Sequence, residues 1–147
     1  MSHTHSYIYA ATASAYRSIA IGSLAQATTG NSIAIGNEAV ASGFNLGQNS
    51  AACIAIGSGA IATGAQGIAI GNGAVAAGDN TIPNGPNTIA IGAGAVASVA
   101  NTIVLNAAGG QLVGATTNSI YVAPVRGVAS STPVLTYNTA TKEITCE

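Results

Sequence analysis

From Ile19 to Leu105 the apolar residues arrive in short pulses rather than in long runs. The first kind of pulse is Ile-Ala-Ile closed by glycine, at Ile19–Gly22, Ile33–Gly36, Ile54–Gly57, Ile68–Gly71 and Ile89–Gly92. The second begins three residues after each glycine: Ala25-Gln26-Ala27, Ala39-Val40-Ala41, Ala60-Ile61-Ala62, Ala74-Val75-Ala76 and Ala95-Val96-Ala97. Both alternate with period two, which predicts short strands, and the glycine predicts a sharp turn between them. The glycines stand 14, 21, 14 and 21 residues apart, and a degenerate sixth copy, Ile103-Val104-Leu105-Asn106, follows 14 residues later. Register kept this strictly means that equivalent residues stack, coil upon coil. The chain therefore reads as all-β: a parallel β-roll, or solenoid, of about six 14-residue coils.

Alternation puts the two isoleucines of the first strand on one face and its alanine on the other. Turning the isoleucines inward gives a core of Ile19, Ile21, Ile33, Ile35, Ile54, Ile56, Ile68, Ile70, Ile89 and Ile91. The paired alanines of the second strand would oppose them, large against small, so that a thin interior packs densely. Gln26, Val40, Ile61, Val75 and Val96 then point out of the roll. Soluble monomers rarely carry such a stripe, so Val40, Ile61, Val75 and Val96 are the expected interface of a homo-oligomer. The reverse assignment of the second strand would put the valines inside; an alanine-rich outer face almost without charge remains either way.

The longer repeats carry their extra residues just after the second strand, in the segments 44–52 and 79–87. Both are rich in Asn and Gly, and the second holds two prolines, so both read as surface loops projecting from one edge. Phe44, Asn45, Gln48, Asn80, Pro83 and Asn84 are the candidate partner-binding residues. Spacer loops that tolerate drift are the equal alternative. Near the C-terminus, Leu135-Thr-Tyr137 and Glu143-Ile-Thr145 alternate around a polar turn and predict a hairpin. An open solenoid end needs covering, and the C-terminal segment as a whole, with Ile120, Val122, Val125, Leu135 and Ile144 worth burying, is the candidate cap. The expected organisation is an N-terminal segment or degenerate first coil at 1–17, the repeat domain at 18–107, and a C-terminal β cap or attachment segment at 108–147.

Composition narrows the function classes. Of 147 residues only 5% are charged, and the net charge is −1; an ordinary soluble domain has roughly 25% charged residues. No apolar run approaches the ~20 residues that span a bilayer, so membrane insertion is not expected. The first residues show neither the basic nor the apolar region of a signal peptide. Arg17, Arg126 and Lys142 are the only basic side chains, too few to hold nucleic acid through its phosphates. The acids Glu38, Asp79, Glu143 and Glu147 recur at no matching positions, as a carboxylate pair would need. No nucleophile motif or phosphate loop is present, so the chain reads as non-enzymatic and without a cofactor. Cys53 and Cys146 read as unpaired thiols. His3 and His5 alternate as a His-x-His metal site on a threefold axis would, but first residues are poorly ordered unless tied down, and no metal site is assigned to them. Thr28, Thr29, Thr63, Thr81, Thr88 and Thr102 form no column in this reading, which leaves an ice-binding solenoid as a minor alternative.

The repeat resembles the head of the trimeric autotransporter adhesins (YadA-like), built on an Asn-Ser-Val/Ile-Ala-Ile-Gly motif followed by Ala-x-Ala. Asn31-Ser32-Ile33-Ala34-Ile35-Gly36 and Ala39-Val40-Ala41 match it directly, and the resemblance covers about residues 18–107. It implies a left-handed parallel β-roll in a parallel homotrimer, displayed outside a cell and touching host molecules. No coiled-coil stalk or membrane barrel accompanies the repeats. Instead, Asn118-Ser-Ile-Tyr-Val-Ala-Pro-Val-Arg126 and the segment 134–145 look like parts of fibre and structural proteins of phages and large algal DNA viruses. That second resemblance implies a virion surface protein, a fibre, spike or capsid-associated trimer, with other virion proteins or a host glycan or protein as partners. A bacterial adhesin head at the cell surface is the alternative.

Overall fold

The computed structural model describes residues 10–43, 52–78, 87–125 and 135–146. All regular structure among them is β, in two seven-stranded parallel sheets and one hairpin. The first sheet, called here the isoleucine sheet, stacks Ile19–Ile21, Ile33–Ile35, Ile54–Ile56, Ile68–Ile70, Ile89–Ile91, Ile103–Asn106 and Ile120–Ala123. The second, the valine sheet, stacks Thr12–Ala13, Gln26–Ala27, Val40–Ala41, Ile61–Ala62, Val75–Ala76, Ala95–Ala97 and Leu112–Gly114. The chain crosses from one sheet to the other at every turn, which makes a solenoid. Its register is the one the spacing predicts: Ile33 lies on Ile54, and Val40 on Ile61, across a 21-residue step.

The roll reaches further than the repeats at both ends. Thr12 pairs with Gln26 before them, and Val113 with Val96 and Ile120 with Ile103 after them, each of the last two by a 17-residue step. The sheets run from Thr12 to Ala123.

The isoleucines do not fill the interior, and this overturns the expected core. Ala34, Ala55, Ala69 and Ala90, which sit between the isoleucines of each strand, are the residues with no exposed surface. Ile33, Ile35, Ile54, Ile56, Ile68, Ile70 and Ile89 are half-buried on the outer face, and Ile19, Ile21 and Ile91 are exposed, Ile21 at 56%. The second strand faces as expected: Ala39 and Ala41, Ala60 and Ala62, Ala74 and Ala76, Ala95 and Ala97 are fully buried, and the aliphatics between them look outward. Each repeat coil thus sends three alanines inward, Ala34 against Ala39 and Ala41 for example. The physical reason is width. Strands of two or three residues, closed by tight turns at each end, hold the two sheets so near that methyl groups fill the gap. Isoleucine there would need sheets at the ordinary separation of ~10 Å. Period two fixes which residues share a face but not which face is inside, and a one-residue error inverts the whole set.

Each turn after the isoleucine sheet is set by its glycine. Gly36, at φ 134°, donates its amide to the Ile21 carbonyl of the previous coil (2.8 Å), and a Cβ there would overlap the carbonyl of Gly57. Gly57 and Gly71 repeat both features one and two coils on. Backbone is packed on backbone along this edge, so no side chain can stand in the column. The column ends at Asn106. Its amide donates to the carbonyls of Ala93 (2.8 Å) and Gly110 (2.7 Å), and its carbonyl oxygen accepts from the Ala108 amide (3.0 Å). One side chain thereby organises the longer final turn.

The inward column of the isoleucine sheet also changes character at its end. Ala90 is followed in register by Val104 and then by Tyr121. Opposite them, Ala97 is followed by Gly114, whose missing side chain leaves space: a Cβ there would meet Thr102 Cγ2 at 2.6 Å, Val104 Cγ2 at 2.8 Å and Tyr121 Cδ2 at 3.0 Å. The Tyr121 hydroxyl accepts a hydrogen bond from the Thr116 amide (3.1 Å). Tyr121 and Leu112 pack on the alanine core, so the roll is plugged from within by its last coil.

The predicted hairpin forms, Leu135–Tyr137 antiparallel to Ile144–Cys146. Asn138 shapes its turn, the side-chain oxygen accepting from the amides of Ala140 (2.9 Å) and Thr141 (3.1 Å). Among the described residues no strand of the roll touches it, and Tyr137 and Ile144 are 58% and 59% exposed.

Candidate interaction faces

With alanine inside, the large aliphatic side chains of the five full Ile-Ala-Ile-Gly repeats face the surface. The isoleucine sheet presents two parallel columns. One is Ile19, Ile33, Ile54, Ile68, Ile89, Ile103 and Ile120; the other is Ile21, Ile35, Ile56, Ile70, Ile91, Leu105 and Val122. Rows of like residues spaced by one strand separation, ~4.8 Å, make a continuous apolar surface. Ile120 and Val122 remain about half exposed at its C-terminal end. Sequence reasoning missed this face because it placed the same residues indoors. The signal that could have found it is that alanine alone recurs at an alternating position in both strands of every coil.

The valine sheet presents one aliphatic column, Gln26, Val40, Ile61, Val75, Val96 and Val113, in register. Val40, Ile61, Val75 and Val96 are half-buried within a single chain and point outward. Beside them the backbone bonding continues the register by one residue, ranking Ser14, Thr28, Ser42, Thr63, Ala77 and Ser98. Thr28 and Thr63 therefore do share a rank, against the expectation that the threonines are scattered. The rank is broken by Ala77, and the Ser98 hydroxyl is bonded to the Gly114 carbonyl (2.9 Å).

The two insertions leave the valine sheet after Ser42–Gly43 and after Ala77–Gly78, and re-enter at Ala52–Cys53 and Asn87–Thr88. Their anchors thus occupy the same corner of alternate coils. Phe44, Asn45, Gln48, Asn80, Pro83 and Asn84 lie outside the described residues, as do His3 and His5. At the opposite corner the turn side chains reach back along the axis, Asn37 and Asn72 donating to the carbonyls of Ser23 and Ser58 (3.3 Å each).

Among the described residues no group of three or more His, Cys, Asp or Glu side chains could hold a metal ion. Glu38 is exposed in a turn at φ 56°, and Arg17 lies over the Tyr16 ring at 4.6 Å. Cys53 is fully buried in the column that Ser32, Thr88 and Thr102 share, with its thiol donating to the Gly64 carbonyl (3.2 Å). Burial pushes that thiol up from its ordinary pKa, against smaller opposing contributions from hydrogen bonds, which keeps it protonated and unreactive. None of the described helices qualifies as a membrane span, since none exists among these residues.

The family model described as the YadA head domain repeat matches the chain at residues 9–25, 13–39, 27–45, 54–74, 62–82 and 84–105, together more than half of its length. No curated protein and no solved structure matches it.

Proposed function

Because the chain belongs to the YadA head-repeat family, we propose that it is a non-enzymatic, adhesin-like head that works as a parallel homotrimer on a surface outside a cell. The observation that carries this reading is the outward double column of the isoleucine sheet. Its isoleucines are the largest apolar groups of the repeats, yet a single chain leaves them half-covered. Each one newly buried between chains contributes roughly 1 kcal/mol, and two columns running the length of the roll multiply that contribution. The same two-column argument moves the interface from Val40, Ile61, Val75 and Val96, the expected place, to the isoleucine sheet. The valine sheet and the corner bearing the insertions are then free to face outward, and the insertion corner is where contact with a host glycan or protein belongs.

The repeat match supports the cell-surface reading. No comparison supports the virion reading. Sedimentation of the purified chain tests the proposal. A species of three chains is expected at micromolar concentration, reduced to monomer by Ile56→Lys on the isoleucine sheet and left intact by Val75→Lys on the valine sheet. A soluble monomer of the unaltered chain would overturn it.

A further inference from the structure

Charge is scarce on the roll and unevenly placed. Among the described residues of the roll the only charged side chains are Arg17 and Glu38, both exposed. Arg17 stands two residues before Ile19, at the edge where the chain enters the isoleucine sheet. Glu38 stands three residues after Ile35, at the edge where the chain leaves it. Opposite charges thus lie on opposite edges of one sheet, with the width of a coil between them, and do not meet within a chain. Both also hold backbone that residues other than Gly, Asn and Asp rarely adopt, Arg17 at φ 54° and Glu38 at φ 56°. Later coils put Gly59, Gly73 and Gly94 at the Glu38 corner, and uncharged amides, Asn31, Gln66, Asn101 and Asn118, at the Arg17 corner. A charge held in strained backbone where glycine or an amide serves elsewhere points to a use beyond the turn. Each charge also has a bulky apolar companion. Tyr16, 71% exposed, lies under the Arg17 guanidinium at 4.6 Å, and Leu24, 37% exposed, stands one coil before Glu38 at the same corner.

We infer that these two edges form a clasp between copies of this chain, Arg17 and Tyr16 of one chain meeting Glu38 and Leu24 of the next. The inference rests on the parallel assembly proposed above and assigns what makes it parallel. The isoleucine columns repeat coil after coil, so they carry little direction of their own. Rotation about an axis along the roll, with the isoleucine sheets facing that axis, brings the entry edge of each sheet to the exit edge of its neighbour. An antiparallel arrangement sets like edges together and leaves both charges without a partner. Opposite charges on opposite edges therefore fit the parallel arrangement alone, and charge complementarity of this kind fixes orientation more than it adds affinity. The reach is sufficient. From Arg17 to Glu38 is one and a half coils, roughly 7 Å along the axis, which two long side chains span between chains in step.

The full chain is compared with Glu38→Arg, and with the exchange Arg17→Glu plus Glu38→Arg, by sedimentation over a dilution series. Glu38→Arg sets like charges on facing edges and keeps a residue type that the same backbone conformation already holds at Arg17. It should raise the concentration at which the assembly dissociates at least roughly tenfold at low salt, and less at high salt, where ions screen the repulsion. The exchange should restore that concentration to within about threefold. Circular dichroism should stay the same throughout. In a background carrying Cys53→Ser and Cys146→Ser, a short bismaleimide should join Arg17→Cys of one chain to Glu38→Cys of another, as peptide mapping reads. No effect of Glu38→Arg, no recovery on exchange, or links of position 17 to position 17 would each overturn the clasp. Ile56→Lys separates this from the reading it rests on. An assembly that Ile56→Lys dissociates and charge reversal leaves alone keeps the sheet interface and loses the clasp, whereas an unaltered chain that stays monomeric overturns both.

Discussion

The two sheets of the roll are built from the same two residue types in opposite parity. A strand of the isoleucine sheet reads Ile-Ala-Ile and sends one alanine inward and two aliphatics out. A strand of the valine sheet reads Ala-Val-Ala and sends two alanines inward and one aliphatic out. The two patterns are complementary: one inward methyl nests against two. What differs is the outer surface, which carries twice as many aliphatic columns on one side as on the other. In the proposed assembly, monomer folding and association therefore fall to different residues, and neighbouring positions along one strand serve different purposes.

Adjacent substitutions break that comparison most sharply. Ala69→Ile should destabilise the monomer by about 3 kcal/mol or more, because the interior has no room for the added carbons. Ile70→Ala, one residue on, should change monomer stability by about 0.5 kcal/mol and show its effect in association instead. Thermal unfolding beside sedimentation separates the two; equal effects would mean that the faces are not divided in this way. Next in size is the plug. Tyr121→Ala should cost about 2–3 kcal/mol, less than a fully buried aromatic, with the loss confined to the last coils in hydrogen exchange.

The smallest expected effect concerns the buried thiol of Cys53. Cys53, held protonated by burial, should resist alkylation by a maleimide at pH 8 in the folded chain and react once the chain is unfolded. The linkage follows in sign. A thiol whose folded pKa is raised contributes stability that is complete below its unfolded value, about 8.5, and is lost as the pH rises through the folded one. Denaturation curves at pH 7 and pH 10 should show a fall in stability that Cys53→Ser reduces.

Much of the architecture is legible in the chain because the repeat prints it several times. The strands, their register across 14- and 21-residue steps, the glycine turns and the hairpin all follow from spacing and alternation. The inside of the roll does not. Ile-Ala-Ile is equally regular read from either face, and the habit of burying the larger residue misleads where the sheets are too close to admit it. The plug is illegible for a different reason. Tyr121 replaces alanine only after a 17-residue step that breaks the period, so no column in the sequence leads to it. The candidate site was half legible: Val40, Ile61, Val75 and Val96 do face outward, but the stronger face is made of residues that a compact-core argument hides.

The internal plug gives the roll a polarity in construction. Gly114 and Tyr121 close one end, and the five coils from Gly22 to Gly92 are joined to one another by the same glycine stacking and the same alanine contacts. A unit of 14 or 21 residues gained or lost among those coils would leave the terminus and both outer columns in phase. It would change only the distance between the two ends, by one strand spacing of ~4.8 Å per coil. Reach is thus the property such a molecule can alter by recombination between its own repeats, in fixed increments and without any new solution to the folding problem.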